Sequence, residues 1–128
     1  MSASRDFLAL IKELFAPLGG ITSRSMFGGI GVYSRGVMFG LIFDDVLYLK
    51  ADGDSQQAFQ ARNSLPFVYE NSAGKPVTTS YWQMPPELVD EPDEAVAWAR
   101  TALKVAQAVK ASTPPSSRRV STAARWRR

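Results

Sequence analysis

Three short apolar runs joined by two tight turns constrain this chain more than any other feature. The runs are residues 26–33 (MFGGIGVY), 37–43 (VMFGLIF) and 46–51 (VLYLKA). The connections, residues 34–36 (SRG) and 44–45 (DD), consist of turn-forming residues. Connections this short join antiparallel neighbours, because a parallel pair needs a crossover of about a dozen residues or more. The stretch therefore predicts a three-stranded antiparallel meander.

The flanking sequence predicts three helices and two more strands. Residues 6–18 and 92–111 place apolar side chains at helical spacing, and acidic residues open the second of these segments. A short helix is predicted over residues 52–63, with strands over 65–70 (LPFVYE) and 77–84 (VTTSYWQM). The order α-β-β-β-α-β-β-α predicts a two-layer α+β domain, in which helices pack on one face of an antiparallel five-stranded sheet.

Gly28, Gly29 and Gly31 raise the question of a phosphate-binding loop. A dinucleotide-binding GxGxxG motif must follow a strand and open a helix, and a Walker A loop ends in Gly-Lys-Ser/Thr. Here a turn and another strand follow the glycines, and no such ending is present. The stronger interpretation is a backbone requirement of the fold: a bulge, a strong twist or the close approach of a neighbouring element.

The composition excludes several kinds of chemistry. The chain contains no cysteine and no histidine, so it has no thiolate or imidazole ligands for zinc, no cysteine nucleophile and no Ser-His-Asp triad. Asp44, Asp45, Asp52 and Asp54 lack the spacing of a calcium-binding loop and are interpreted as a hairpin turn and a helix N-terminus. We therefore predict no catalytic residue, metal or cofactor. No apolar run approaches the roughly 20 residues that span a bilayer, and no signal peptide is evident, so we expect a cytoplasmic protein without membrane contact.

Charge is distributed unevenly along the chain. The net charge is +3, but residues 113–128 hold five arginines and no acid, which leaves 10 basic and 12 acidic side chains in residues 1–112. This contrast predicts a folded domain over residues 1–112 and a basic, disordered tail over 113–128. The tail either binds nucleic acid, through phosphate contacts and base stacking, or only keeps the chain soluble. The residues suited to nucleic-acid contact are Arg118, Arg119, Arg125, Trp126, Arg127 and Arg128.

Aromatic side chains are frequent on the predicted strands. Aromatics on a sheet can stack nucleic-acid bases, but they need basic neighbours, and residues 1–112 carry more acidic than basic side chains. Packing in the core or in a subunit interface is therefore the stronger interpretation. The aromatic residues concerned are Tyr33, Phe39, Phe43, Tyr48, Phe67, Tyr69, Tyr81 and Trp82.

Several segments carry a combined pattern: residues 24–29 (RSMFGG), Gly40 with residues 47–50 (LYLK), and residues 81–82 (YW) with Pro85. Together they resemble the N-terminal domain of the TfoX/Sxy family, and the similarity extends over most of the chain. The resemblance implies a two-layer α+β domain, frequent homodimers, a regulatory role and no settled catalytic residues. The positions that match the family motif, as fold or interface positions, are Arg24, Met26, Phe27, Gly28, Gly29, Tyr48, Lys50, Tyr81 and Trp82.

Three functional hypotheses follow. The first is a bacterial, non-enzymatic regulatory module that acts through protein–protein contacts as a homodimer. Family members that regulate natural competence carry a second, C-terminal helical domain, and we expect this chain to be a stand-alone N-terminal domain. The second hypothesis is nucleic-acid binding assisted by the arginine-rich tail. The third is a small-ligand binder or an enzyme that uses Arg24, Lys50 or Tyr81, which requires a pocket where such groups converge.

Overall fold

The computed structural model of the chain describes residues 5–26 and 28–112, and it describes side chains as far as residue 109. The helices within these ranges are α1 (Arg5–Leu14), α2 (Gln56–Ala61) and α3 (Pro92–Ser112). The strands are β1 (Ile21–Met26), β2 (Gly29–Ser34), β3 (Val37–Phe43), β4 (Val46–Lys50), β5 (Pro66–Glu70) and β6 (Pro76–Gln83). Short 3-10 turns at Ala16–Leu18 and Pro86–Asp90 precede β1 and α3.

The six strands form one antiparallel sheet in the order β1-β2-β3-β4-β6-β5. The predicted α+β class and the antiparallel meander are confirmed, but the prediction of five strands is wrong. Residues 26–33 are not one strand, because Gly28 adopts a left-handed φ of 78° and turns the chain back on itself. The polar segment ITSRSM before this turn then forms β1, an edge strand with one neighbour.

The two short turns inside the meander have the backbone that tight hairpins require. Arg35 and Gly36 have φ values of 49° and 83°, and Asp44 and Asp45 have values of 52° and 57°. Two successive positive φ values match the right-handed twist of the flanking strands, and glycine and aspartate tolerate them better than most residues. The two turns lie where the sequence predicts them, and the positive φ of Gly36 agrees with the prediction, whereas the positive φ of Arg35 was not predicted.

The helices cover one side of the sheet. α3 lies across β3 and β4, α2 lies beside β6, and α1 packs against α3. α3 presents a stripe of fully buried alanines to the core, which lets its backbone come close to the strands. These alanines are Ala95, Ala99, Ala102 and Ala106. No helix in the described part of the chain is long and apolar enough to cross a membrane.

A bulge in β3 adds a large aromatic ring to this core. Val32 faces Gly40 and Tyr33 faces Met38, which leaves Phe39 without a partner on β2. The irregularity allows Phe39 to join the helix side, where it is fully buried and its ring meets Phe15 at 5.7 Å in an edge-to-face arrangement. The bulge thus anchors the segment after α1 to the middle of the sheet.

The glycines at the start of β2 are explained by the strand beside them. A Cβ atom on Gly29 would lie 2.6 Å from the carbonyl oxygen of Ile42 on β3. That oxygen belongs to the backbone of the sheet and cannot move away without breaking the pairing of β2 with β3. The element that approaches this glycine closely is therefore β3 rather than a helix.

We predict that Gly29→Ala destabilises the fold by about 1–3 kcal/mol, because the added methyl group must displace the β3 backbone. Gly53→Ala is the matched control, since its Cβ would meet no atom within 4 Å and its φ is not positive. The control should change the free energy of unfolding by less than about 0.5 kcal/mol. Urea denaturation measures both variants, and equal stabilities would contradict the assignment.

Candidate protein interaction site

No helix in the described part of the chain covers the side of the sheet opposite α1, α2 and α3, and this side is called the open face here. Residues paired across antiparallel strands project to the same side. The pairs Gly31–Leu41, Leu41–Tyr48 and Tyr48–Gln83 therefore share one face, and the side chain of Leu41 is not part of the helix-side core. The larger side chains of the open face are Arg24, Met26, Tyr33, Met38, Leu41, Phe43, Tyr48, Lys50, Phe67, Tyr69 and Tyr81.

Four aromatic rings form a continuous cluster on this face. The Phe67 ring centroid lies 5.4 Å from that of Phe43, 5.0 Å from that of Tyr48 and 6.5 Å from that of Tyr69. These contacts join β3, β4 and β5, and all four side chains are half-buried. Aromatic pairs at such distances contribute about 0.5–1.5 kcal/mol beyond the area that they bury. The four rings therefore hold one another in place within the folded chain.

Two side chains of the open face are buried although none of the described helices covers them. Leu41 and Tyr81 are each only 3% exposed, and neither belongs to the core on the helix side. Burial raises the pKa of the Tyr81 phenol well above its usual range, and the nearby Tyr33 phenol raises it further. Leu41 and Tyr81 thus form a buried floor of the open face, and partly exposed aromatic rings surround it.

Lys50 is a half-buried cation beside this floor. Its ammonium donates a hydrogen bond to the Ser80 hydroxyl and lies 5.3 Å from the centroid of the Tyr81 ring. No carboxylate in the described part of the chain lies within 4.0 Å of it. Burial without a compensating negative charge lowers the pKa of Lys50. The ammonium is stabilised by the ring and the hydroxyl, and it can still accept an anionic group from outside.

The β1–β2 end of the open face is filled by methionines. A Cβ on Gly31 would lie 2.9 Å from the Met26 methyl carbon and 3.3 Å from that of Met38. The absence of a side chain on Gly31 therefore lets two flexible thioether chains cover the strand. Methionines adapt readily to irregular apolar partners. Arg24 lies beyond them on the edge strand, exposed and paired in register with Gly31.

The motif positions do not all lie on the open face. Arg24, Met26, Tyr48, Lys50 and Tyr81 do. Trp82 points to the helix side, where its ring centroid lies 6.2 Å from that of Phe59. Gly28 and Gly29 form the β1–β2 hairpin. The remaining predicted positions, Phe27 and residues 113–128 with the arginines and Trp126, lie outside the described residues.

Sequence reasoning missed part of the aromatic cluster as a site. Phe43, Phe67 and Tyr69 were recognised as aromatic strand residues but were not assigned to one surface with Tyr48. In a strand, every second side chain points to the same face, so the alternation in VLYLK and PFVYE could have placed Phe67 and Tyr69 on the same face as Tyr48. The order of the last two strands, with β6 between β4 and β5, was the missing information.

The groups named for a ligand-binding or enzymatic hypothesis converge only in part. Lys50 and Tyr81 meet on the open face, but Arg24 lies on β1, three strands from β4, a separation of about 14 Å at ordinary strand spacing. A separate cavity of about 340 Å³ lies between α2 and α3, and its walls include Lys50, Phe59 and Trp98. This cavity is lined mainly by apolar groups and contains no acid–base pair for catalysis.

A family model of the TfoX N-terminal domain matches residues 13–106. The chain belongs to this family. The match spans all six strands, α2 and most of α3, so it covers both the helical layer and the open face. No curated protein matches the chain. Membership supports a regulatory domain of the competence type, and the TfoX N-terminal domain family is not known to be enzymatic.

In this TfoX N-terminal domain, the buried phenol of Tyr81 gives stability a dependence on alkaline pH. A raised pKa keeps the phenol protonated in the folded state while the unfolded chain ionises near its usual value of 10.0. The contribution of this phenol to the free energy of unfolding is therefore fully present below pH 10 and falls as the pH rises above it. At pH 11, one unit above the pKa of the phenol in the unfolded chain, we predict that the Tyr81→Phe variant loses about 1.4 kcal/mol less stability than the wild type.

Urea denaturation of the wild type and of Tyr81→Phe between pH 8 and pH 11 measures this effect. The wild type should lose more stability than the variant, which retains a smaller loss because burial and Asp44 also raise the pKa of Tyr48. Identical pH profiles would show that the Tyr81 phenol is not buried in the folded protein.

Proposed function

We propose that this TfoX N-terminal domain is a non-enzymatic regulatory module that acts through protein–protein contacts made by its open face, and that its first partner is a second copy of the chain. The observation that carries the proposal is the aromatic and methionine cover on a sheet face over which none of the described helices lies. Rings that stay partly exposed contribute less to the fold than fully buried ones, whereas an interface gains from burying the rest of their surface.

The composition of the open face favours a protein partner over nucleic acid. Interface centres are enriched in tyrosine, phenylalanine, methionine and arginine and depleted in other charged residues. The open face has these residues and two separated cations, Arg24 and Lys50. A sheet that stacks bases needs a basic surface to attract the phosphates, and residues 1–112 carry 10 basic and 12 acidic side chains.

The size of the face sets the expected affinity. Six strands spaced about 4.8 Å apart, each about five residues long, present a flat area on the order of 500 Å². Two such faces bury on the order of 1,000 Å² together, which is at the low end for specific complexes. We therefore expect a dimer that dissociates in the micromolar range, and one that a regulatory partner with the same preferences can replace.

Phe67→Ser tests the role of the open face, because Phe67 is the ring that all other members of the aromatic cluster contact. Val68→Ser is the matched control: it lies on the same strand, points to the other side and is 47% exposed. We predict that Phe67→Ser weakens self-association at least about tenfold, the loss expected for one interface anchor, and that Val68→Ser leaves it unchanged.

Sedimentation velocity over a range of concentrations measures self-association, and circular dichroism checks that both variants remain folded. A wild-type protein that stays monomeric at every accessible concentration would contradict the homodimer. Equal weakening by the two substitutions would show that the contact is not made by the open face.

A further inference from the structure

A second apolar surface lies on the helical side of the molecule, away from the open face. A groove of about 340 Å³ runs between α1 and the start of α3. Its floor consists of aliphatic side chains from both helices and from the 3-10 turn before α3, and Leu10 among them is 40% exposed. The groove is lined by Leu10, Leu14, Pro17, Val89, Pro92 and Val96, with Glu13 and Asp93.

Both charged residues of the groove are acidic. Glu13 comes from α1 and Asp93 from α3, so each helix contributes one carboxylate to the groove. Neither carboxylate has a cation within 4.0 Å in the described part of the chain, where both ion pairs belong to Arg62. An apolar groove with an unpaired acid from each of its two helices fits an apolar side chain that has a basic residue on each side.

The chain itself contains such a segment. Residues 125–127 read Arg-Trp-Arg, within a stretch from 113 to 128 that holds five arginines and no acid. The tryptophan supplies a large apolar ring, and its two neighbours supply guanidinium groups that pair well with carboxylates. The order of chemistry along the segment, basic–aromatic–basic, matches the groove, acidic–apolar–acidic.

The length of the chain allows this contact within one molecule. α3 ends at Ser112, and Val96 in the groove lies 16 residues earlier on the same helix, a distance of about 24 Å at the helical rise. Trp126 lies 14 residues after Ser112, and an extended chain of that length reaches about 46 Å. The segment can therefore return along α3 and reach the groove with slack to spare.

We propose that residues 113–128 dock back onto the groove between α1 and α3 of the same molecule, with Trp126 on the apolar floor and Arg125 and Arg127 beside Glu13 and Asp93. Docking withdraws the arginines of the segment from other anionic partners. A ligand that competes for the groove, or an anion that competes for the arginines, releases the segment. The groove does not include residues of the open face, so this contact can be tested separately from the proposed dimer.

The test uses the full chain and its own tryptophan and arginines. Trypsin cleavage after Arg125 reports whether the segment is protected, and the indole N–H resonance of Trp126 in a ¹⁵N spectrum reports its surroundings. The variant Glu13→Gln/Asp93→Asn removes both charges of the groove at nearly constant size. The control Asp54→Asn/Glu70→Gln neutralises two exposed acids elsewhere on the surface.

We predict that the groove variant is cleaved after Arg125 about fivefold faster than the wild type, the effect of losing two exposed ion pairs. The Trp126 resonance should move toward the position of a free peptide, while the control behaves as the wild type. Leu10→Ser should also accelerate cleavage, because it removes part of the apolar floor. Thermal unfolding confirms that each variant remains folded.

Three results would overturn the proposal. The first is a wild-type segment that is cleaved as fast as in the groove variant, with Trp126 at its free-peptide position. The second is equal acceleration in the control, which would show a general charge effect. The third is protection that increases over an about twentyfold rise in protein concentration, because contact within one molecule does not depend on concentration; that result would place the segment on a second copy.

Discussion

Packing of α3 across β3 and β4 is the interaction on which the rest of this structure depends. The alanine stripe of the helix lets the two backbones approach closely, and the β3 bulge sends Phe39 into the same layer to meet Phe15. One side of a six-stranded sheet is thereby buried. The three described helices all pack on that side. The apolar side chains on the opposite side are therefore shielded from water only by one another.

On the open face, only some of the apolar side chains are shielded from water. Leu41 and Tyr81 are buried beneath neighbouring side chains, while Phe43, Tyr48, Phe67 and Tyr69 remain partly exposed. A half-buried, prearranged aromatic surface loses little side-chain freedom when it binds, which favours recognition of a protein partner. The electrostatics of this face accordingly centre on the buried Tyr81 phenol and on Lys50, which has no ion pair in the described part of the chain.

Much of the fold could be predicted from the sequence, because strong local signals fix it. The turns at Arg35–Gly36 and Asp44–Asp45 and the amphipathic start of α3 specify their own backbone. β1 could not be recognised in this way, since ITSRSM has no apolar alternation and is held by pairing with β2. Only part of the aromatic site could be predicted from the sequence. Its assembly depends on β6 lying between β4 and β5, which is a long-range pairing.

We propose that this domain contacts a second protein chain through its open face. Isotope-filtered NOE spectroscopy on an equal mixture of labelled and unlabelled protein tests it most directly, since it detects only protons of different molecules in contact. If the open face forms the contact, intermolecular signals should come from the rings of Tyr48 and Phe67 and from the methyl groups of Met26 and Met38. Intermolecular signals confined to helix-side residues such as Leu10 or Val68, with none from the open face, would contradict it.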